Sequence, residues 1–376
     1  MPKLPKDLPV KQGLKGLLRQ TVPKPGIPDG APDSQIEIRD LCYVGSYSWT
    51  NSATPTIIVP GSPRQWLDRA LPFKVKPDSG IVFVDQNAFR MKDKPLLPLI
   101  HAVELMGNAK RVDWGKVDFV TDRSNLRKLL RWINGSSAKR ALRIDAQLAG
   151  NGTVLLNRWE TRTREHGQGS YGFNLEKAAT SPLAGCEDAT SYHRIVKYDL
   201  GGLSMVVRFE VDAFVPPGQR EKVDDGSFLK AFSALKVTGA PIPTKPGGLA
   251  IRRGGQMVPQ SSLIELTSSR QMNWPEKYPQ LYLSQTPWMY KASHREGEFQ
   301  TVSKVELGSP ELQEVAEKSK VKFERLRDAL QAIKDIVVKA GPEGRLSFVL
   351  EDKELQVYDR ESQSSCLTTD AMALFS

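Results

Sequence analysis

Two carboxylates, Glu210 and Asp212, stand inside a run that is otherwise apolar, with Met205-Val-Val before them and Ala213-Phe-Val after. The β-branched and aromatic residues predict a strand, and apolar side chains at successive positions predict one covered on both faces. Side chains at i and i+2 of a strand share a face, so the two acids point the same way. Such a pair is ordinarily a solvated face. In a central strand it needs a reason, because an unpaired buried charge is expensive.

Two more acids fit the same constellation. Gly172-Phe-Asn-Leu-Glu-Lys-Ala-Ala179 predicts a helix carrying Glu176, and Leu263-Ile-Glu-Leu-Thr267 a strand with Glu265 and Thr267 on one face. With the two strands as neighbours, Glu210, Asp212 and Glu265 converge, and Glu176 reaches in from a packed helix. Hard oxygen donors around a small cavity suit Mg2+ or Mn2+. Two such ions activate a water and stabilise the leaving oxygen in phosphodiester cleavage. Other chemistries find no footing. Cys42, Cys186 and Cys366 have no CxxC spacing, and His101, His166, His193 and His294 have no metal spacing. This argues against a zinc cluster or disulfide framework and fits a reducing compartment. There is no P-loop, no GxGxxG after a strand and no nucleophile elbow. Gly167 to Gly172 could cradle a phosphate at the helix N-terminus, but a plain turn is the better reading.

The net charge of +10 favours a polyanionic partner, nucleic acid before an acidic membrane. Arg158 and Arg162, in the basic-aromatic stretch that runs through Trp159 to Arg164, could line an RNA channel or equally a solvated strand edge. No apolar run approaches the roughly 18 residues a membrane span needs.

The pattern as a whole predicts an α+β fold, a mixed central sheet flanked by helices. Residues 1–34 read as a flexible basic arm, with Lys3, Lys6, Lys11, Lys15, Arg19 and Lys24 against Asp7 and Asp29. Residues 35–376 read as one domain, with a long Pro/Gly-rich interruption at 215–262. Asp122 is placed to cap a helix through Trp132, Ser309-Pro opens a long helix that stops at Gly341, and a hairpin near the C-terminus closes the fold.

Five motifs in one order carry a resemblance. Arg123 in Val-Thr-Asp-Arg-Ser-Asn-Leu-Arg, Gly172 to Glu176, Arg208-Phe-Glu-Val-Asp212, Ile264-Glu-Leu-Thr267 and Gln285 in Leu-Ser-Gln-Thr-Pro resemble motifs of the DXO/Rai-type decapping exonucleases. Tyr43 to Trp66 is similar to the opening of a fungal branch of that family. The resemblance implies a restriction-nuclease-like core and hydrolysis at the 5′ end of RNA, by decapping, pyrophosphohydrolysis or 5′-to-3′ exonuclease action. It implies Glu176, Glu210, Asp212 and Glu265 as metal ligands and Gln285 as a positioning group. Arg123 would grip phosphate, and a 5′-to-3′ exoribonuclease would be a partner. A nuclear or cytoplasmic location follows. Where the family has a motif lysine this chain has Thr267, and neither Lys177 nor Arg270 falls where it would replace it. The alternative is therefore a degenerate relative that binds RNA or a protein partner and does not cut.

Overall fold

The computed structural model describes residues 4–27, 36–107, 112–135, 142–167, 169–216, 242–245 and 247–376. In chain order its strands are β1 (Leu14–Val22), β2 (Ile38–Thr50), β3 (Thr56–Gly61), β4 (Arg64–Trp66), β5 (Phe73–Lys74), β6 (Ile81–Phe83) and β7 (Phe119–Asp122). There follow β8 (Leu142–Ala149), β9 (Thr153–Trp159), β10 (Arg164–His166), β11 (Thr180–Ser181), β12 (Ala189–Leu200), β13 (Leu203–Glu210) and β14 (Ala213–Phe214). The last are β15 (Ile242–Lys245), β16 (Leu249–Gly255), β17 (Leu263–Thr267), β18 (Trp288–Arg295), β19 (Glu298–Glu306), β20 (Arg345–Glu351) and β21 (Glu354–Arg360). The helices used below are α1 (Gln86–Arg90), α2 (Leu97–Leu105), α3 (Arg123–Ile133), α4 (Gly172–Ala179), α5 (Trp274–Ser284) and α6 (Gln313–Ala340).

A 12-stranded sheet runs β1-β21-β20-β8-β9-β7-β13-β12-β2-β3-β16-β15, and a seven-stranded sheet runs β11-β4-β14-β17-β18-β19-β5. Both are mixed. In the large sheet β13 pairs parallel to β7 and antiparallel to β12. In the small one β17 pairs parallel to β18 and antiparallel to β14. The strand expected to be central is central. Met205, Val207 and Phe209 enter the main core beneath α3, α5 and α6, while Val206 enters a second core against α2. Apolar cover on both faces explains why its apolar residues run without alternation.

Three expectations are corrected. The arm at 1–34 is not free where it is described: β1 pairs antiparallel with β21, and Leu14 packs on Val349 and Tyr358. Residues 1–3 and 28–34 lie outside the described residues. The interruption at 215–262 is part of the sheet over β16, which pairs parallel with β3; residues 217–241 and 246 lie outside the described residues. Asp122 occupies the N-cap position of α3 without capping it, since its carboxylate is held by both the Nε and Nη2 of buried Arg208, at 2.6 and 2.8 Å. An arginine fork outcompetes a backbone N–H for a carboxylate.

Candidate active site

Glu210 ends β13 in the large sheet, and three residues later, at Ala213, the chain enters β14 of the small one. The two acids thus flank a switch between sheets, and the space between diverging sheets is where a cavity forms. A cavity of about 350 Å3 opens there, lined by Glu176, Glu210, Asp212, Thr267, Arg158 and His193 among others. A second of about 350 Å3 meets it at Glu176, Glu210 and Asp212 and adds Arg64 and Lys177.

Each acid is set in its own way. Asp212 is fixed to the neighbouring strand, its Oδ2 accepting the Leu266 N–H at 2.7 Å. Glu176 sits on α4, and the first turn of that helix is held from outside. Asp78 accepts from the N–H groups of Phe173 and Asn174 at 3.2 and 2.9 Å and from the Ser170 hydroxyl. The donors a phosphate would use at this helix N-terminus are therefore occupied by a carboxylate. Thr180 Oγ1 donates to the Glu176 carbonyl and accepts from Arg64 Nε, both at 2.6 Å, which stations Arg64 beside Glu176.

The acids raise one another. Glu176 is pushed up from 4.5 to about 7 by burial and by the Glu210 charge, against Arg64 and Lys177. Asp212 is held well above its ordinary value by burial and by Glu265 and Glu176, with the Leu266 N–H opposing. Glu210 opens on the cavity, yet the enclosing walls thin its hydration. Its pKa rises for that reason, with Arg158 opposing and Glu265 adding to the rise. His193, buried against Tyr47, has its pKa lowered by burial and is neutral.

Glu265 does not reach this wall. It is buried behind it, where its Oε1 pairs with Arg123 Nη1 and its Oε2 accepts from Gln280 Nε2. Arg123 likewise is not presented to a ligand: it is buried, donates to Ser284 Oγ at 3.0 Å and lies over the Phe209 ring. Gln285 caps α5 in the left-handed region (φ 50°), gives its amide to the Tyr282 carbonyl at 2.7 Å and is not on the cavity wall. Thr267 is on the wall, and its register partner in parallel β18 is Lys291, so the two share a face. Arg158 bonds Glu160 at 2.7 Å and stands 3.6 Å from Asp85, with a quarter of its side chain exposed. Arg162 faces outward and pairs with Asp7 of the N-terminal segment.

Gln280, Asp78, Asp85 and Arg64 were not singled out from sequence. Asp85 had a local signal: it caps α1, its Oδ1 accepting the Ala88 N–H at 3.0 Å. Gln280 had none, being one polar residue among several on α5.

Among the described residues, no three His, Cys, Asp or Glu side chains stand close enough to hold a metal ion as they are. The donor chemistry still suits a hard divalent cation. Three carboxylates whose pKa values are all raised have too little positive charge among them.

A family model described as Domain of unknown function (DUF8563) matches residues 33–371. No curated protein matches the sequence. Among solved structures the fold is similar to that of S. pombe Rai1, with TM-score 0.57, 12% identity, and coverage of 88% of this chain and 96% of that one. It is similar to C. albicans Rai1 in complex with pU5-Mn2+, with TM-score 0.52, 11% identity, and coverage of 90% and 95%. K. lactis Dxo1 in complex with manganese gives TM-score 0.53, 12% identity, and coverage of 96% and 97%. At such identities the likeness is one of fold.

Proposed function

We propose, for a chain that belongs to the DUF8563 family and has the fold of Rai1 and Dxo1, a divalent-metal-dependent hydrolysis at the 5′ end of RNA on a restriction-nuclease-like core. One observation carries the reading. Glu176 from α4, Glu210 from the end of β13 and Asp212 from the link to β14 meet on one cavity, where Glu210 raises the pKa of Glu176 and both raise that of Asp212. A fold neighbour in complex with pU5 and Mn2+ supplies the substrate class.

Glu176, Glu210 and Asp212 would hold Mg2+ or Mn2+, two ions in all if Glu265 joins them. When bound, the metal would supply Lewis-acid stabilisation of the phosphate and lower the pKa of its water. The rest falls to the chain's own residues. Asp212, tied to the Leu266 N–H, keeps one carboxylate oxygen fixed and presents the other. Arg158, at the wall, would pair with a phosphate oxygen. Before the ion binds, Glu176, raised to about 7, holds a proton in the working range, and binding would displace it. Glu265 is released to the cavity only if Arg123 moves. A 5′-to-3′ exoribonuclease partner and a nuclear or cytoplasmic location complete the proposal.

The test is release of label from 5′-labelled RNAs (triphosphate, capped and monophosphate) with Mn2+ or Mg2+, with Asp212→Asn as control. Metal-dependent release that the control lacks is the expected result. A second reading, a binding module that does not cut, is favoured by Thr267 in place of a cation and by the closure of Glu265 on Arg123. RNA binding without release and without metal uptake would select it.

A further inference from the structure

We infer that a second, basic cavity holds the RNA chain beyond its 5′ end, and that the N-terminal segment is a wall of that site. The inference rests on the reading above and adds the path of the strand.

The cavity has a volume of about 470 Å3, within the range of ligand sites. Arg158 lines both it and the acidic cavity, so the two spaces meet at one guanidinium. Its other side is formed by the segment from Pro5 to Gly13. That segment is docked: the Leu8 N–H donates to the Thr161 carbonyl at 2.8 Å, and Arg143 Nη1 donates to the carbonyls of Val10 and Gln12 at 3.0 and 2.8 Å. Asp7 pairs with Arg162, and Lys11 with Glu351 at 2.5 Å.

The charges sort by whether they are used. Of the carboxylates on the lining, Asp145 is taken by Arg143 at 2.7 Å, and Glu160 by Arg158 and Lys128 at 2.7 and 3.1 Å. Lys6, Lys92 and Arg164 also line the cavity, and no ion pair engages them among the described residues. Asp93 alone stands against these three. An excess of unengaged cations beside a cavity is a site for phosphates. A flat surface for bases stands with them. Phe89 is 37% exposed, the Arg164 guanidinium lies 4.2 Å over its ring, and the Phe83 ring packs against it at 5.3 Å, tilted by 45°. Aromatic rings and arginine planes are what single-stranded bases stack on. The strand would thus enter past Phe89 and Lys6, run along Trp159, and deliver its 5′ phosphate past Arg158.

The experiment compares two probes on the full chain in Ca2+ buffer: uridine 5′-monophosphate, by calorimetry, and 5′-phosphorylated decauridylate, by anisotropy over a salt series. The decamer is expected to bind at least about tenfold more tightly, with steep salt dependence. Lys6→Ala/Lys92→Ala/Arg164→Ala should remove most of that advantage and make the salt slope shallower by about two, since each single-strand phosphate contact contributes roughly 0.7. The mononucleotide should be unaffected within about twofold, a change of under about 0.5 kcal/mol. Arg164→Ala alone, which removes a half-buried side chain at the mouth, gives the smaller loss if the triple variant does not fold. Mononucleotide binding with no length advantage, or an advantage that survives in folded variants, overturns this proposal and leaves the functional reading standing. Binding of neither probe overturns both.

Discussion

Glu265 keeps its own counter-charge. A buried carboxylate with Arg123 on one oxygen and Gln280 on the other is a closed unit, and this changes what an Arg123 substitution reports. Arg123→Ala should destabilise the protein by about 3–5 kcal/mol, because it strands Glu265 without a partner in a dry site. Arg123→Met with Glu265→Gln should recover most of that loss. Denaturant melts measure both, and a single-variant loss under about 1 kcal/mol would show the pair to be solvated instead. The other residue-scale prediction concerns Thr267. Thr267→Lys would place an ammonium on the cavity wall and should raise label release by about 100–1000-fold, the scale of one preorganised charge-stabilising group. Lys291→Ala should lower it if the neighbouring strand already supplies that charge across the register. A folded, metal-binding Thr267→Lys protein with no gain would count against a cut limited by this position. The sequence pointed to Glu210 and Asp212 through i, i+2 spacing. The structure brings them to one cavity by another route, since Glu210 ends a strand of one sheet and Asp212 lies in the short link to a strand of the other. The partners of Arg123 and Gln285 were not legible, because rotamer and neighbour, rather than residue type, decide whether an arginine meets a carboxylate or a phosphate.

At the scale of elements, the strands with β-branched runs and the helices α3 and α4 were readable because period and turn residues agree there. Two elements were not. Leu14-Lys-Gly-Leu-Leu-Arg-Gln-Thr-Val22 has neither alternation nor strong strand preference, and Leu17 is 84% exposed. It is a strand because β21 offers an unpaired edge. β16 hid in glycines that look like a loop. A Cβ on Gly255 would come within 2.5 Å of the Gly61 backbone, and φ there is +75°, so glycine serves the close approach of β3 and β16. The docked arm has a measurable consequence. Removing residues 1–22 uncovers the β21 edge and the apolar contact of Leu14 with Val349 and Tyr358. The truncated protein should melt lower by a few degrees, about 1–2 °C for each kcal/mol lost in a chain of this size. An unchanged melting temperature would mean that the arm contributes no stability where it is docked.

The whole molecule is basic, yet the cavity at the sheet switch is acidic. A positive surface draws in a polyanion and a negative pit draws in a divalent cation, and the two fields meet at Arg158. The pit also ties folding to pH. The folded chain binds the Glu176 proton more tightly than the unfolded chain does, about 7 against 4.5, so protonation of Glu176 favours folding. That contribution is complete below about 4.5, declines as pH rises, and is gone above about 7. Without divalent ions, the protein should therefore lose part of its stability between those values, and Glu176→Gln should lack that part of the decline. A bound cation reverses the preference by favouring the ionised carboxylates. Apparent Mn2+ affinity should climb as pH rises from 6 to 8, by up to about tenfold per unit for each proton displaced, and the stabilising effect of Mn2+ should be larger at pH 8 than at pH 6. Thermal melts at the two pH values, with and without Mn2+, on the natural protein and Glu176→Gln measure all of this. Identical pH slopes for the two proteins, together with Mn2+ stabilisation that does not change with pH, would mean that the acids at the sheet switch neither hold protons nor exchange them for metal.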